Sequence, residues 1–176
     1  RCLGRQTGTA HMSTDGTSTV ESVSAQEPGA HWLLQSPAQD ALIDSGPLLA
    51  LFNRSDKWHG PTLAWLQAHP QVRLHSTWPV LTEVCALLAR RIHNAAALDF
   101  LQWVQRGAVQ LDAPADWSLT SVLAICQRFA SLPLDLADAS MAEAAERLQI
   151  SCIVSIDKDF DLYRDAKGQA LRNLLR

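Results

Sequence analysis

The chain has 176 residues, 47% of them hydrophobic, and a formal net charge of −3. That length supports one domain with a real core, and so small a charge excludes a protein that holds nucleic acid or membrane through a global basic field. No run approaches the roughly 18 apolar residues of a membrane span and nothing reads as a leader, so the sequence predicts a soluble, cytoplasmic protein.

Residues 1–39 are rich in Ser, Thr and Gly and have no hydrophobic period. Such a stretch buries too little apolar area to offset its ordering entropy, and it reads as a disordered or vector-derived tail with Met12 inside it. The domain is expected over 40–176. Its first element is the apolar strand ALID, which runs into a helix through GPLLALFN with Ser45 as N-cap and Pro47 in the first turn. PTLAWLQAH predicts a helix, VRLHS a strand, and PVLTEVCALLARR and AAALDFLQWVQR two further helices. AVQLD follows as a strand, TSVLAICQRFA and LADASMAEAAERL as helices, and ISCIVSI as a strand. LYRDAKGQALRNLL fits either a hairpin around Lys167-Gly168 or a terminal helix. Strands separated by helices imply an α/β domain with a largely parallel sheet. Cys2, Cys85, Cys126 and Cys152 form no C-x-x-C pair and fit buried thiols in a reducing compartment.

Ligands of such sheets gather at the carboxyl ends of the strands. Asp44 ends the first strand and Asp157 follows the last apolar one. Two helical acids also stand at odd positions. Glu83 falls within the stripe Val80, Val84, Leu87, Leu88, and Asp138 within the face Leu134, Met141, Ala145, Leu148. Each acid has a plainer alternative. Asp44 could cap the following helix, Asp138 could complement a helix dipole, Glu83 could snorkel from the edge of its face, and Asp157 and Asp159 could be loop acids. Asp135 reads as a helix-start residue rather than a ligand. Taken jointly, four inward carboxylates repel one another and resist desolvation unless a cation holds them. Oxygen-only ligands select Mg²⁺ or Mn²⁺.

These segments resemble the PIN-domain ribonucleases, and within them the VapC-type toxins of type II toxin-antitoxin pairs. The resemblance spans about residues 41–176 and rests on LIDSGPLLALF with Asp44, LTEVCALLAR with Glu83, LDLADASMAEAAERL with Asp138 and SIDKDF with Asp157. It implies a Rossmann-like α/β fold, with a central, mostly parallel sheet and helices on both faces. It further implies a four-acid pocket for one or two divalent ions, endonucleolytic cleavage of RNA, a homodimer, and a small cognate antitoxin whose tail covers the pocket. By the same match Ser155 supports the site and Asp159 is a secondary acid. Ser45 and Asp135 complete the supporting set.

Cutting a phosphodiester requires an activated water and neutralisation of charge on the phosphate, which two ions can supply together. Asp44 is the expected bridging ligand, Glu83 and Asp138 complete the first ion site, and Asp157 serves the second. His59, His69, His75 and His93 are scattered and read as structural or surface residues. Arg54, Lys57, Lys158 and Arg164 are candidates for a basic rim that meets RNA, with a solvated surface as the alternative. Trp58 could stack on a base, whereas Trp65 and Trp103 stand among apolar neighbours and suit the core or a dimer interface. Gly46 stands where a dehalogenase-type phosphatase needs a second aspartate, a receiver domain would want a strand-end lysine, and no G-x-G-x-x-G follows the first strand. The remaining competitor is a catalytically silent member of the same fold that binds RNA or protein.

Overall fold

The computed structural model describes residues 39–132 and 134–176, so the expected tail lies, except for Gln39, outside the described residues. Strand β1, Asp40–Ile43, is the middle strand of five. Its Ala41, Leu42 and Ile43 are all fully buried although successive side chains point to opposite faces. Both faces of the sheet are therefore covered, which is why the strand reads as an unbroken apolar run. β2 (Arg73–Thr77), β3 (Gln110–Asp112), β4 (Cys152–Val154) and β5 (Arg172–Asn173) complete the order β3-β2-β1-β4-β5. Every pairing is parallel. The chain builds outward through β2 and β3, then returns to the other side of β1, so the direction of winding reverses between β1 and β4.

Helix α1 spans Ser45–Leu51 and α2 His59–Ala68, the latter two residues earlier than the sequence predicts. α3, Trp78–Arg91, carries Pro79 in its first turn and Arg90 and Arg91 in its last, where cations complement the dipole. It buries Val80, Leu81, Val84 and Leu88. α4, Asn94–Trp103, widens into a π-type turn at Val104–Ala108, which Gly107 ends at a φ of 88° that a side chain would resist. α5 is Ser118–Arg128 and α6 Leu136–Leu148. α6 is buried almost all round from Ala137 to Ala145, because alanine lets α3, α5 and the sheet approach closely. The expected face therefore holds at Met141 and Ala145 but fails at Leu148, which lies near the helix end and is partly exposed.

Two expectations are corrected. The N-cap of α1 is Asp44, whose side chain accepts the Ser45 N–H, and Ser45 is the first helical residue. The C-terminal stretch is neither antiparallel hairpin nor helix. A single turn, α7 (Asp159–Leu162), and a turn with Gly168 at a φ of 78° carry the chain back so that β5 pairs parallel to β4. None of the described helices is long and apolar enough to cross a membrane.

Candidate metal centre

Asp44 sits at the carboxyl end of β1, beside the end of β4, at the point where the winding reverses. This is the crevice at which open α/β sheets bind ligands. Its backbone N–H donates to Val154 O at 3.1 Å, which ties it to the neighbouring strand. The side chain is buried. Oδ1 accepts the Ser45 N–H at 2.6 Å and Oδ2 accepts the Ser155 hydroxyl at 2.8 Å. The capping reading of Asp44 therefore holds: one oxygen caps α1 while the other accepts the Ser155 hydroxyl.

Ser155 is the hub on the β4 side. Its Oγ also accepts the Asp157 N–H at 2.9 Å, and its own carbonyl accepts the Asn173 carboxamide at 2.8 Å. Asp157 is exposed and its Oδ1 takes the Asp159 N–H at 2.9 Å, which starts α7. Asp159 thereby fixes the loop that carries Asp157.

Two of the candidate acids are perturbed by burial and by the charges of the others. Burial, only partly offset by the bonds from Ser155 and Ser45, raises the Asp44 carboxyl to about 6, and the charges of Asp157 and Glu83 push the same way. Burial likewise raises Asp138 to about 7, with further contributions from the charges of Asp135, Asp44 and Asp157. Asp44 thus feels the charges of Asp157 and Glu83, and Asp138 those of Asp135, Asp44 and Asp157. Glu83 is half-buried at the edge of its stripe. Asp135 is the N-cap of α6 in a reciprocal capping box with Asp138, through bonds of 3.0 and 3.3 Å. Its helix-start reading holds, and its charge still weighs on Asp138.

Among the described residues no three His, Cys, Asp or Glu side chains stand as a ready-made cage for an ion. The donor set nonetheless fits a hard cation: carboxylate oxygens only, with the charged forms of Asp44 and Asp138 disfavoured first by burial, and oxygens of Asp44 that each accept a single hydrogen bond.

The histidines have structural partners. His59 Nδ1 meets Ala50 O, His69 Nδ1 meets Trp65 O, His75 Nε2 meets Asp40 Oδ1, and His93 caps α4. Trp65 stacks on His69 at 4.6 Å between ring centres, and Trp103 packs edge-on against Phe52 at 5.7 Å. Trp58 is half-buried. Of the basic candidates, Arg54 and Lys57 are exposed beyond α1 and Lys158 is exposed beside Asp157. Arg164 is exposed and donates to the carbonyls of Asp161 and Tyr163, which holds its guanidinium at the end of α7. Reasoning from sequence misses Asn173, which braces Ser155 across two strands, and Thr77 and Ser140, whose hydroxyls bond at 2.7 Å between the end of β2 and α6.

The family described as PIN domain matches residues 41–166. Among solved structures, VapC20 of Mycobacterium tuberculosis, described as a Sarcin-Ricin loop cleaving toxin, superposes with a TM-score of 0.65 at 21% identity, covering 69% of this chain and 93% of that one. VapBC2 from Rickettsia felis, solved bound to a DNA fragment from their promoter, superposes with a TM-score of 0.56 at 11% identity, covering 77% of this chain and 98% of that one. No curated protein matches the sequence.

Proposed function

The chain belongs to the PIN domain family, and from that premise we propose that it is a divalent-metal-dependent endoribonuclease, the toxin of a toxin-antitoxin pair. The observation that carries the reading is Asp44: a carboxylate buried at the strand crevice, raised to about 6, and pressed by the charges of Asp157 and Glu83. A cleft carboxylate whose charge is disfavoured by burial and by neighbouring acids is a mark of functional sites. Asp44, Glu83, Asp138 and Asp157 would hold Mg²⁺ or Mn²⁺, as one or two ions. When bound, the metal supplies Lewis acidity, activating water and neutralising charge on the phosphate.

The protein's own residues do the positioning. Ser155 orients Asp44 by its hydroxyl and Asp157 through the backbone, and the cap at Ser45 fixes the other Asp44 oxygen. Asp135 sets the start of α6 and hence the height of Asp138, while Asp159 sets Asp157. Lys158, with Arg54, Lys57 and Arg164 further out, would meet the RNA backbone.

RNA as substrate and a small antitoxin as partner rest on the VapC-type resemblance; the fold likeness to VapC20 is consistent with both. A homodimer would cover the exposed Leu119 and Leu123, which lie one turn apart on α5. The site of action would be the cytoplasm. The test is cleavage of single-stranded RNA by the pure protein with Mn²⁺ or Mg²⁺. Activity abolished by EDTA and by Asp44→Asn, with the fold intact, is the expected result. Cleavage persisting in excess EDTA would overturn it, and growth unaffected by strong expression of active protein would remove the toxin role.

A further inference from the structure

The carboxyl-end side of the sheet, where Asp44 lies, also carries a large exposed aromatic side chain that neither the core nor the acids use. Trp78 directly follows β2 as the first residue of α3, and 53% of it is exposed. It flanks an open groove of about 550 Å³ whose walls include Pro79, Thr82, Glu83, Asp135 and Leu136. Leu136, 59% exposed, faces the same space from the first turn of α6. The lining therefore combines two acids, Glu83 and Asp135, with flat apolar surface from Trp78, Pro79 and Leu136. Water solvates the acids well and the indole and leucine badly.

We propose that Trp78, flanked by Pro79 and Leu136, is the stacking platform for an unpaired nucleobase adjoining the phosphate that lies over the acids. This inference rests on the nuclease reading and adds the way substrate is gripped. A nucleobase matches the groove because its faces are apolar and its edges polar. Glu83 and Trp78 line the same groove, so a phosphate at Glu83 leaves an adjoining base within reach of that groove. Stacking also accounts for how an acidic crevice retains an acidic polymer: the base binds through its face, which carries no net charge. Thr82 donates its hydroxyl to Trp78 O at 2.9 Å, which reinforces the first turn of α3 from which the indole projects. The grip is tolerant of sequence but demands a single strand, because paired bases present no free face.

The test uses the full chain and a single-stranded RNA octamer carrying 2-aminopurine, whose fluorescence is quenched on stacking. Binding is read in EDTA, so that it is independent of cleavage, and KM and kcat are read separately with Mn²⁺. Trp78→Ala should weaken binding roughly 5- to 150-fold, the range of one base-aromatic stack, raise KM with little change in kcat, and abolish the quench. Trp78→Phe should recover most of all three, and unchanged melting temperatures exclude a folding effect. Unchanged binding and KM in Trp78→Ala would overturn the platform while leaving the nuclease reading intact. So would a changed oligomeric state with normal KM, which would make Trp78 a subunit contact. Absence of cleavage by the wild type would defeat the nuclease reading, and the loss of binding and quench in Trp78→Ala would still decide whether the base is held.

Discussion

The Ser155 hydroxyl donates to Asp44 Oδ2 at 2.8 Å while accepting the Asp157 N–H at 2.9 Å, so a single uncharged side chain sets two of the four acids. Ser155→Ala should leave Asp44 less well solvated and raise its carboxyl further, since the lost bond is the larger of the two that lower it. The expected result is a loss of about 10- to 100-fold in metal affinity or cleavage, as for other residues that orient ligands. Folding should weaken by about 1–3 kcal/mol for the buried groups left without partners. Mn²⁺ titration calorimetry and denaturant unfolding measure the two separately.

Stability of the metal-free domain should fall as pH rises. Asp44 at about 6 and Asp138 at about 7 both lie above the ordinary 3.8, so between about pH 4 and 7 the folded chain holds more protons than the unfolded one. The slope of stability with pH is then negative across that window. Asp40, held at about 2 by Arg73 and then His75, acts with the opposite sign but only below about pH 4. The metal-free melting temperature should therefore be higher at pH 5 than at pH 8. Asp138→Asn should flatten the profile and preserve or raise the value at pH 8. A wild type equally stable at the two pH values would contradict the raised carboxyls.

Metal should reverse that trend, because ligands must lose their protons to bind. Mn²⁺ affinity should drop steeply as pH falls through 7 to 6, and saturating Mn²⁺ should raise the melting temperature at pH 8 by mass action. Glu83→Gln and Asp138→Asn should reduce the shift strongly. Asp135→Asn is the control: asparagine also caps helices well, so this variant should keep both its stability and most of its metal response. Calorimetry with and without Mn²⁺ distinguishes these outcomes, and no shift at millimolar Mn²⁺ would refute a shared site.

Much of the acid cluster was legible because each signal is local. Asp44 and Asp157 follow apolar strands, and Glu83 and Asp138 interrupt apolar helical faces, so short windows of sequence display them. Other features depend on contacts between distant segments. β5 pairs over only Arg172 and Asn173, too few residues for any periodicity. Asn173 gains its role only because that pairing sets it against Ser155. The exposed end of α6 at Leu148 escapes a face analysis because helical spacing does not reveal where a helix leaves the core. The α1 cap was misplaced by one residue because Asp44 and Ser45 are both good capping types, and only the backbone decides which one precedes the first turn.

Arg147 locks α6 to its surroundings and should be a stability determinant remote from the acids. It binds Glu143 at 2.9 Å and Asp112 through both terminal nitrogens, all largely buried, and Ser118 adds a bond to Glu143 at 3.0 Å. Arg147→Met would strand two buried carboxylates, and a loss of about 3–5 kcal/mol is expected from denaturant unfolding. Removal of residues before Gln39, by contrast, should change neither melting temperature nor cleavage, given the composition of that stretch.

The bond between Asp44 and Ser155 joins positions 111 residues apart. As the chain leaves the ribosome, β1, β2 and β3 can pair in order, but the other edge of β1 stays open until β4 has been made. Parallel pairing over such a span forms late, because the loop must close before any contact rewards it. Asp44 and Glu83 thus exist in the growing chain long before Asp138, Ser155 and Asp157 join them. Assembly of the crevice is an end-stage event of translation, and a chain interrupted before β4 carries Asp44, Glu83 and Asp138 without Ser155 and Asp157.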